Sequence, residues 1–181
     1  TGESAALPDA EHLSAVEYTV EKVAGRIPVI AGAGSNDTYH GVQLSKKAVQ
    51  LGADGILSVT PYYNKTTQKG LIMHYTEIAK NTDAPIIVYN VPSRTGVNIQ
   101  PETLLKLSEI ENIVAVKEAG GDVSQVAKIA SMCGDRITIY SGDDDLILPV
   151  LSLGGKGVIS VIANIMPQEI HDLVAKFFSG D

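Results

Sequence analysis

The sequence predicts an α/β fold in which short strands and helices alternate around a parallel sheet. Six β-branched runs are almost continuously apolar, which is typical of strands that are buried on both faces. Between these runs, apolar residues recur three and four positions apart, as they do on one face of an amphipathic helix. The strands are predicted at residues 27–31, 56–60, 86–89, 113–116, 137–140 and 158–161.

The helices between these strands are identified by their apolar stripes. Pro8, Pro101 and Pro167 each come shortly before a stripe, where a proline in the first turn is tolerated. The stripes consist of Leu13, Val16, Val20 and Val23; of Leu71, Tyr75 and Ile78; of Val123, Val126 and Ile129; and of Ile170, Leu173, Val174 and Phe177.

Two architectures fit serial β-α-β units, a doubly wound open sheet and a (β/α)8 TIM barrel. The loop at residues 31–37 contains glycines but lacks the G-x-G-x-x-G spacing of a dinucleotide site. Polar side chains instead follow several different strands, as a barrel active site requires. These residues are Tyr63, Tyr89, Lys117, Ser141 and Asn164. A complete barrel takes about 250 residues and eight strands, so we expect residues 1–181 to supply about six of them.

The composition narrows the class of function. The chain has 181 residues, of which 44% are hydrophobic and 19% charged, and its net charge is −7. An acidic chain is a poor candidate for binding nucleic acid or an anionic membrane. Cys133 is the single cysteine, so no intramolecular disulfide can form, and no apolar run approaches the roughly 18 residues of a membrane span. We expect a cytoplasmic protein whose chain begins partway into a longer product, because its first residues include neither an initiator methionine nor a signal peptide.

Lys117 is the strongest functional signal, because it follows the buried run at residues 113–116. A charged amine in such a strand costs several kcal/mol of desolvation unless it is paired or neutral. Desolvation lowers the pKa of a lysine and makes its amine a better nucleophile toward a carbonyl. The alternative is a structural ion pair with Glu118, but neighbouring residues on a strand point to opposite faces. We therefore predict that Lys117 forms a Schiff base.

Two tyrosines and one arginine are predicted near Lys117. Tyr89 ends the third strand and Tyr63 follows the second, where a phenol could act as a general acid or base. Either tyrosine alone is better explained as a core residue with a satisfied hydroxyl. Arg94 lies in the loop after Tyr89 and could bind a substrate carboxylate, although an ordinary solvated arginine explains it equally well.

The sequence predicts no metal site. The four histidines are each expected on a helix and have no ligand spacing with carboxylates or with the cysteine. They are His12, His40, His74 and His171. The acidic run at residues 143–145 is better explained as helix capping.

Seven motifs in order give the chain a resemblance to a known family. They are TGES (1–4), IPVIAG (27–32), PYYN (61–64), YNVPSRTG (89–96), VKEA (116–119), SGDD (141–144) and GVISV (157–161). The chain resembles the dihydrodipicolinate synthase family of the pyruvate-dependent aldolase superfamily that includes N-acetylneuraminate lyase, and the resemblance covers essentially all 181 residues. The resemblance implies a TIM-barrel catalytic domain whose first strands, and a following C-terminal helical domain, are absent from residues 1–181.

The resemblance implies a reaction and the residues that carry it. Lys117 would condense with pyruvate, and the resulting enamine would attack L-aspartate 4-semialdehyde to give a precursor of lysine. Tyr89 would transfer protons, and Tyr63 would complete a proton relay from a neighbouring subunit. No external cofactor would be needed, because the imine is the electron sink.

The same resemblance implies substrate contacts and an assembly. Thr1 would hold the pyruvate carboxylate, Ile159 would line the pyruvate pocket, and Arg94 would hold the carboxylate of the semialdehyde. The threonine that precedes Thr1 in the family relay is absent from this chain. The full-length protein would be a homo-oligomer, a dimer of dimers.

The family also has a lysine-feedback site at its dimer interface. Where lysine-sensitive members have a histidine and a glutamate, this chain has Asp9 and His40. An effector ammonium would lose its carboxylate partner, so we expect weak or no inhibition by lysine. The positions that match the site are Ser4, Ala5, His12, Asn36 and Tyr62.

Three other functions stay open at this stage. A sister aldolase that cleaves N-acetylneuraminate or a 2-keto-3-deoxy sugar acid would share Lys117 and Tyr89 but would need groups that recognise hydroxyls. A catalytically incompetent barrel fragment is suggested by the missing threonine and strands. A metal-dependent aldolase would require ligand spacing that the sequence lacks.

Overall fold

The structure is a computed structural model that describes residues 2–181. Six parallel strands form one sheet, and their order in the sheet is their order in the chain. Serial crossover connections of this kind are the predicted β-α-β pattern. The strands are β1 (Ile30–Gly32), β2 (Gly55–Val59), β3 (Ile86–Asn90), β4 (Ile113–Glu118), β5 (Thr138–Ser141) and β6 (Gly157–Val158).

Eight helices accompany the strands in the described part of the chain. Side-chain caps begin three of them, since Asp37, Thr67 and Asp122 each accept a hydrogen bond from a backbone N–H in the first turn. The helices are α1 (Asp9–Val23), α2 (Thr38–Gln50), α3 (Gln68–Ala79), α4 (Pro92–Thr95), α5 (Pro101–Leu107), α6 (Val123–Cys133), α7 (Ile147–Ser152) and α8 (Pro167–Ser179).

The main core lies between one face of the sheet and helices α2, α3, α5 and α6. Its largest buried side chains come from the predicted stripes and strands: Leu71, Tyr75 and Ile78 of α3 are fully buried, as is Ile86 of β3. The Tyr75 hydroxyl donates a hydrogen bond to the Ser58 carbonyl at 3.1 Å. This face of the sheet is therefore occupied by packing, and only the opposite face is free for chemistry.

One buried histidine belongs to this core. His74 of α3 is 4% exposed, and its Nδ1 lies 2.8 Å from the hydroxyl of Thr38 at the start of α2. Its Nε2 is buried and has no hydrogen-bond partner among residues 2–181. Burial lowers the pKa of His74 to about 4, which outweighs the opposing charge of Asp37. The imidazole is therefore neutral at neutral pH.

The two outer strands differ from their predicted bounds. The first begins at Ile30 rather than at residue 27, and Ile27 is 65% exposed. The last ends at Val158, and Val161, which was predicted to end it, is 65% exposed. Both strands have one hydrogen-bonded neighbour within residues 2–181, so fewer of their residues are held in a ladder.

Between Gly2 and Asp181, no helix combines the length and the apolar character that a membrane crossing needs.

Candidate active site

A cavity of about 540 Å3 opens at the carboxyl ends of the parallel strands. This is the end of a β-α-β sheet at which side chains from several strands and loops converge. Its apolar wall includes Leu57 and Val59 of β2, whose side chains alternate with the outward-facing Ser58. Polar side chains in its lining include Tyr89, Arg94, Lys117, Ser160 and Asn164.

Lys117 and Tyr89 face each other in this cavity. They are paired in the register of β3 and β4, so the ladder fixes their backbones side by side. The Lys117 Nζ lies 4.2 Å from the centroid of the Tyr89 ring. Both residues are buried, with 8% and 9% of their surface exposed. Within the described residues the amine makes neither a hydrogen bond nor a salt bridge, which leaves it directed at the cavity.

The electrostatics of the pair follow from burial. Burial lowers the pKa of Lys117, and the carboxylates of Asp143 and Asp144 oppose that shift in part. Burial also raises the pKa of Tyr89, while the nearby Arg94 guanidinium opposes the shift. A lysine with a lowered pKa has more neutral amine at a given pH, and a tyrosine with a raised pKa keeps its proton. The arrangement can supply a nucleophile beside a proton donor.

The sheet separates Lys117 from Glu118, its partner in the alternative interpretation as a structural ion pair. Glu118 points to the face opposite Lys117, where its carboxylate accepts hydrogen bonds from Asn90, Gly120 and Gln125. No salt bridge joins Lys117 to Glu118 in the described part of the chain. The period-two alternation of a strand explains the separation, as predicted.

Gly142 closes the space beside the Lys117 side chain, a contact that no sequence pattern predicts. A Cβ at this position would lie 3.1 Å from the Lys117 Cε and 2.7 Å from the Ala119 Cβ. Its backbone N–H donates to the Glu118 carbonyl at 2.7 Å. The loop after β5 therefore approaches the lysine side chain as closely as only a glycine allows.

The acidic run at residues 143–145 differs from its predicted role. The Asp144 carboxylate accepts hydrogen bonds from the backbone N–H groups of Val161 at 3.1 Å and of Ile162 at 3.0 Å. It caps no helix of its own, since the turn Asp144–Leu146 has no side-chain cap. The predicted capping hydrogen bond is not made, because the Asp144 carboxylate is used by a loop 17 residues later, a contact that sequence spacing does not encode. That loop carries Ile159 and Ser160 into the cavity wall. Asp144 and Asp145 do lie in the first turn of this short helical segment, where acidic residues interact favourably with the helix dipole.

The remaining predicted residues, catalytic Tyr63 and substrate-binding Thr1, Arg94 and Ile159, fall into three groups. Arg94, on the short helix α4, and Ile159, directly after β6, both line the cavity. Tyr63 does not: it is 88% exposed and has φ 74°, while its neighbour Tyr62 lines the cavity instead. Thr1 lies outside the described residues.

The residues that match the effector site lie beside the same cavity. Ser4, Ala5 and Tyr62 are part of its wall. The His12 Nε2 lies 2.8 Å from the carbonyl of Gly32, another residue of the wall, and the Asn36 carbonyl accepts a hydrogen bond from Asn64. These contacts place the matched positions near one another beside the cavity.

Asp9 and His40 are in direct contact. The His40 Nε2 lies 2.9 Å from an Asp9 carboxylate oxygen, and its Nδ1 lies 3.0 Å from the Ser35 hydroxyl. Ser35 is buried and its hydroxyl also accepts a hydrogen bond from the backbone N–H of Asp37, so it is not an accessible nucleophile. The contacts with Asp9 and Ser35 together occupy both ring nitrogens of His40.

The four histidines all lie on helices, as predicted: His12 on α1, His40 on α2, His74 on α3 and His171 on α8. Residues 2–181 contain no group of three or more histidine, cysteine or acidic side chains that could hold a metal ion.

Comparison with known proteins places this geometry in context. A model described as the dihydrodipicolinate synthetase family matches residues 1–181. The 4-hydroxy-tetrahydrodipicolinate synthase of Caldicellulosiruptor saccharolyticus is 63% identical over 180 residues, which cover 99% of this chain and 61% of that protein. The chain thus spans about three fifths of the length of the curated relatives that it matches.

Solved structures agree with the sequence matches. The crystal structure of dihydrodipicolinate synthase from Aquifex aeolicus is 48% identical with a TM-score of 0.97, covering 99% of this chain and 62% of that one. The chloride-inhibited dihydrodipicolinate synthase from Acinetobacter baumannii, crystallised in complex with pyruvate, is 42% identical with a TM-score of 0.96, covering 99% and 62%. The prediction of an α/β barrel class, with six strands present in this chain, is confirmed.

Proposed function

The chain belongs to the dihydrodipicolinate synthetase family, and from that premise we propose the reaction of the protein that carries it. It condenses pyruvate with L-aspartate 4-semialdehyde through a Schiff base on Lys117, giving 4-hydroxy-tetrahydrodipicolinate. The observation that supports this most directly is the unpaired Lys117 amine, 4.2 Å from the Tyr89 ring in a cavity at the strand ends.

The proposed reaction proceeds through an imine and an enamine on Lys117. The neutral Lys117 amine attacks the ketone carbon of pyruvate, and water leaves to form the imine. Loss of a methyl proton gives an enamine, whose carbon attacks the aldehyde of the second substrate. The amino group of that substrate then displaces Lys117 and closes the ring, which returns the free amine. Tyr89 is placed to donate and accept the protons that these steps move.

Arg94 and Ile159 support the assignment of substrates. The Arg94 guanidinium lines the cavity close enough to affect the pKa of Tyr89, so it can bind the carboxylate of a short, charged aldehyde. Ile159 offers an apolar contact to pyruvate. Pyruvate itself is supported by the relative from Acinetobacter baumannii that was crystallised with it. Thr1 completes the proposal as the residue that holds the pyruvate carboxylate.

Tyr63 has its role in a neighbouring copy of the chain. Its side chain is 88% exposed and does not line the cavity of its own chain, which supports a contribution to the site of a partner. Mixing two inactive variants tests this part: Tyr63→Phe subunits keep Lys117, and Lys117→Arg subunits keep Tyr63. Reassembled mixed oligomers should regain activity that neither variant has alone. Mixtures as inactive as their components would exclude a shared site.

The central experiment traps the imine. The full-length protein is incubated with pyruvate and borohydride, and the intact mass and the modified peptide are measured. A reduced pyruvyl adduct on Lys117, absent from Lys117→Arg, supports the proposal, whereas no adduct on the wild-type protein overturns it. Turnover with aspartate semialdehyde, compared with sugar aldehydes, then separates the proposed synthase from a sugar-acid aldolase.

A further inference from the structure

A buried carboxylate lies behind the reactive pair. Glu118 is 5% exposed and pairs in register with Asn90 of β3, one residue along each strand from Lys117 and Tyr89. Because side chains alternate along a strand, these two residues occupy the helix-facing side of the same two strands. Glu118 does not touch the cavity. It is connected to Lys117 and Tyr89 through the backbones of the two strands that they share.

The carboxylate is surrounded by hydrogen-bond donors. The Asn90 Nδ2 donates to both of its oxygens at 3.0 Å, the Gly120 N–H donates at 2.7 Å and the Gln125 Nε2 at 3.3 Å. Asn98 completes this carboxylate cluster: it accepts from Asn90 at 2.7 Å and exchanges hydrogen bonds with Gln125. The cluster of Asn90, Asn98, Glu118 and Gln125 therefore ties β3, β4 and α6 together.

The hydrogen-bond directions in the cluster favour a carboxylate at position 118, because both of its oxygens accept. Asn90 cannot simply reverse its amide, because its Oδ1 accepts the backbone N–H of Ile99 at 3.0 Å. A glutamine at position 118 would direct an NH2 group at neighbouring N–H donors, so donor would face donor in a buried site.

The charge is not explained by stability. Burial raises the pKa of Glu118, and its hydrogen bonds oppose the shift only in part. No cation forms a salt bridge with Glu118 in the part of the chain that the structure describes, and Asp143 acts on it unfavourably. A buried anion that is not fully compensated reduces stability, so another role is needed to explain it.

We propose that Glu118 is a positioning residue for imine formation, which holds β3 and β4 through Asn90 so that Lys117 and Tyr89 keep their relative placement. The inference rests on the proposed Schiff-base chemistry. A misplacement of about 1 Å can slow an oriented reaction by up to about a hundredfold. The amine and phenol would remain present and buried, but the imine would form more slowly.

The test measures the rate of imine trapping by borohydride against pyruvate concentration in the full-length protein. Glu118→Gln should lower the limiting rate by about tenfold or more while the half-saturating pyruvate concentration stays within about twofold. The matched control is Gln68→Ala. Gln68 accepts hydrogen bonds from Thr103 and the Gln100 N–H and contacts the cluster only through the Asn98 carbonyl. This control should lower the melting temperature and leave the limiting rate unchanged.

The outcomes separate the two proposals. A wild-type protein that traps no pyruvate overturns the proposed function and the inference with it. Normal trapping by the wild type and an unchanged limiting rate in Glu118→Gln overturn the inference alone, as does an equal loss of rate in Gln68→Ala. If Glu118→Gln does not fold, Asn90→Ser carries the test, because it removes the bridge between the strands and keeps the carboxylate.

Discussion

Substituting Gly142 by alanine would test the placement of Lys117 with a single methyl group. The added Cβ would lie 2.7 Å from the Ala119 Cβ, 3.1 Å from the Lys117 Cε and 3.2 Å from the Glu118 carbonyl oxygen. Carbon atoms pack best at about 3.5–4.0 Å. The methyl group must therefore displace β4 or the lysine side chain by roughly 1 Å.

Two effects of different size should follow. Overpacking of this kind costs about 1–3 kcal/mol of folding free energy, which lowers the melting temperature but leaves a folded protein. Moving the nucleophile by that distance should slow imine formation by a factor on the order of 10 to 100. The loss of rate should therefore be large when the loss of stability is modest.

The assay compares borohydride trapping rates and thermal melts of Gly142→Ala and of a matched control, Gly41→Ala. A Cβ at Gly41 would meet the Ile78 Cδ1 at 3.4 Å, an ordinary contact, within α2 and away from the cavity. The control should trap pyruvate at the wild-type rate. If Gly142→Ala also trapped pyruvate at that rate, the close approach of the loop to Lys117 would have no bearing on the reaction and the reasoning would be refuted.

Three further predictions concern charge. Because burial lowers the pKa of Lys117, the pH profile of imine trapping should have its midpoint below the ordinary lysine pKa. Asp143 opposes that shift, so Asp143→Asn should move the midpoint to still lower pH, and a midpoint moved upward would contradict this. The pKa of His74 is about 4 in the folded protein and 6.5 ordinarily. The free energy of unfolding should therefore hold its full value above pH 6.5 and fall by up to about 3 kcal/mol as the pH approaches 4. Urea unfolding should show a smaller fall in His74→Gln, and an equal fall would assign the effect to another group. Because His40 is held by Asp9, lysine should inhibit the full-length protein weakly or not at all, and inhibition by lysine at low concentration in a steady-state assay would disprove the expectation.

The inner strands could be predicted closely from the sequence, because burial on both faces leaves a continuous apolar run. The predicted run at residues 86–89 became Ile86–Asn90, and the run at 113–116 became Ile113–Glu118. The predicted bounds of the outer strands were less accurate, because their residues have fewer neighbours and their apolar pattern extends beyond the hydrogen-bonded ladder. An apolar run in the sequence indicates which residues are buried, whereas the bounds of a strand are defined by its backbone hydrogen bonds.

The candidate site was predictable where local sequence is sufficient. Lys117 was identified by the contrast between a charged side chain and its apolar strand, and Tyr89 by its position at a strand end. The partners of Glu118 were not predictable, because they come from positions 28 residues earlier and 7 residues later. Likewise, nothing near Gly142 in the sequence indicates that its backbone touches the lysine.

The strand order of the sheet also bears on how the molecule moves. Since each strand pairs with its sequence neighbours, β3 and β4 stand at the middle of the sheet and are flanked by strands on both sides. Opening either of these strands would break backbone hydrogen bonds on two sides, which makes local opening there more costly. Amide hydrogens of β3 and β4 should therefore be among the slowest to exchange with solvent. The relative placement of Tyr89 and Lys117 is thus set by two strands that are each held on both sides.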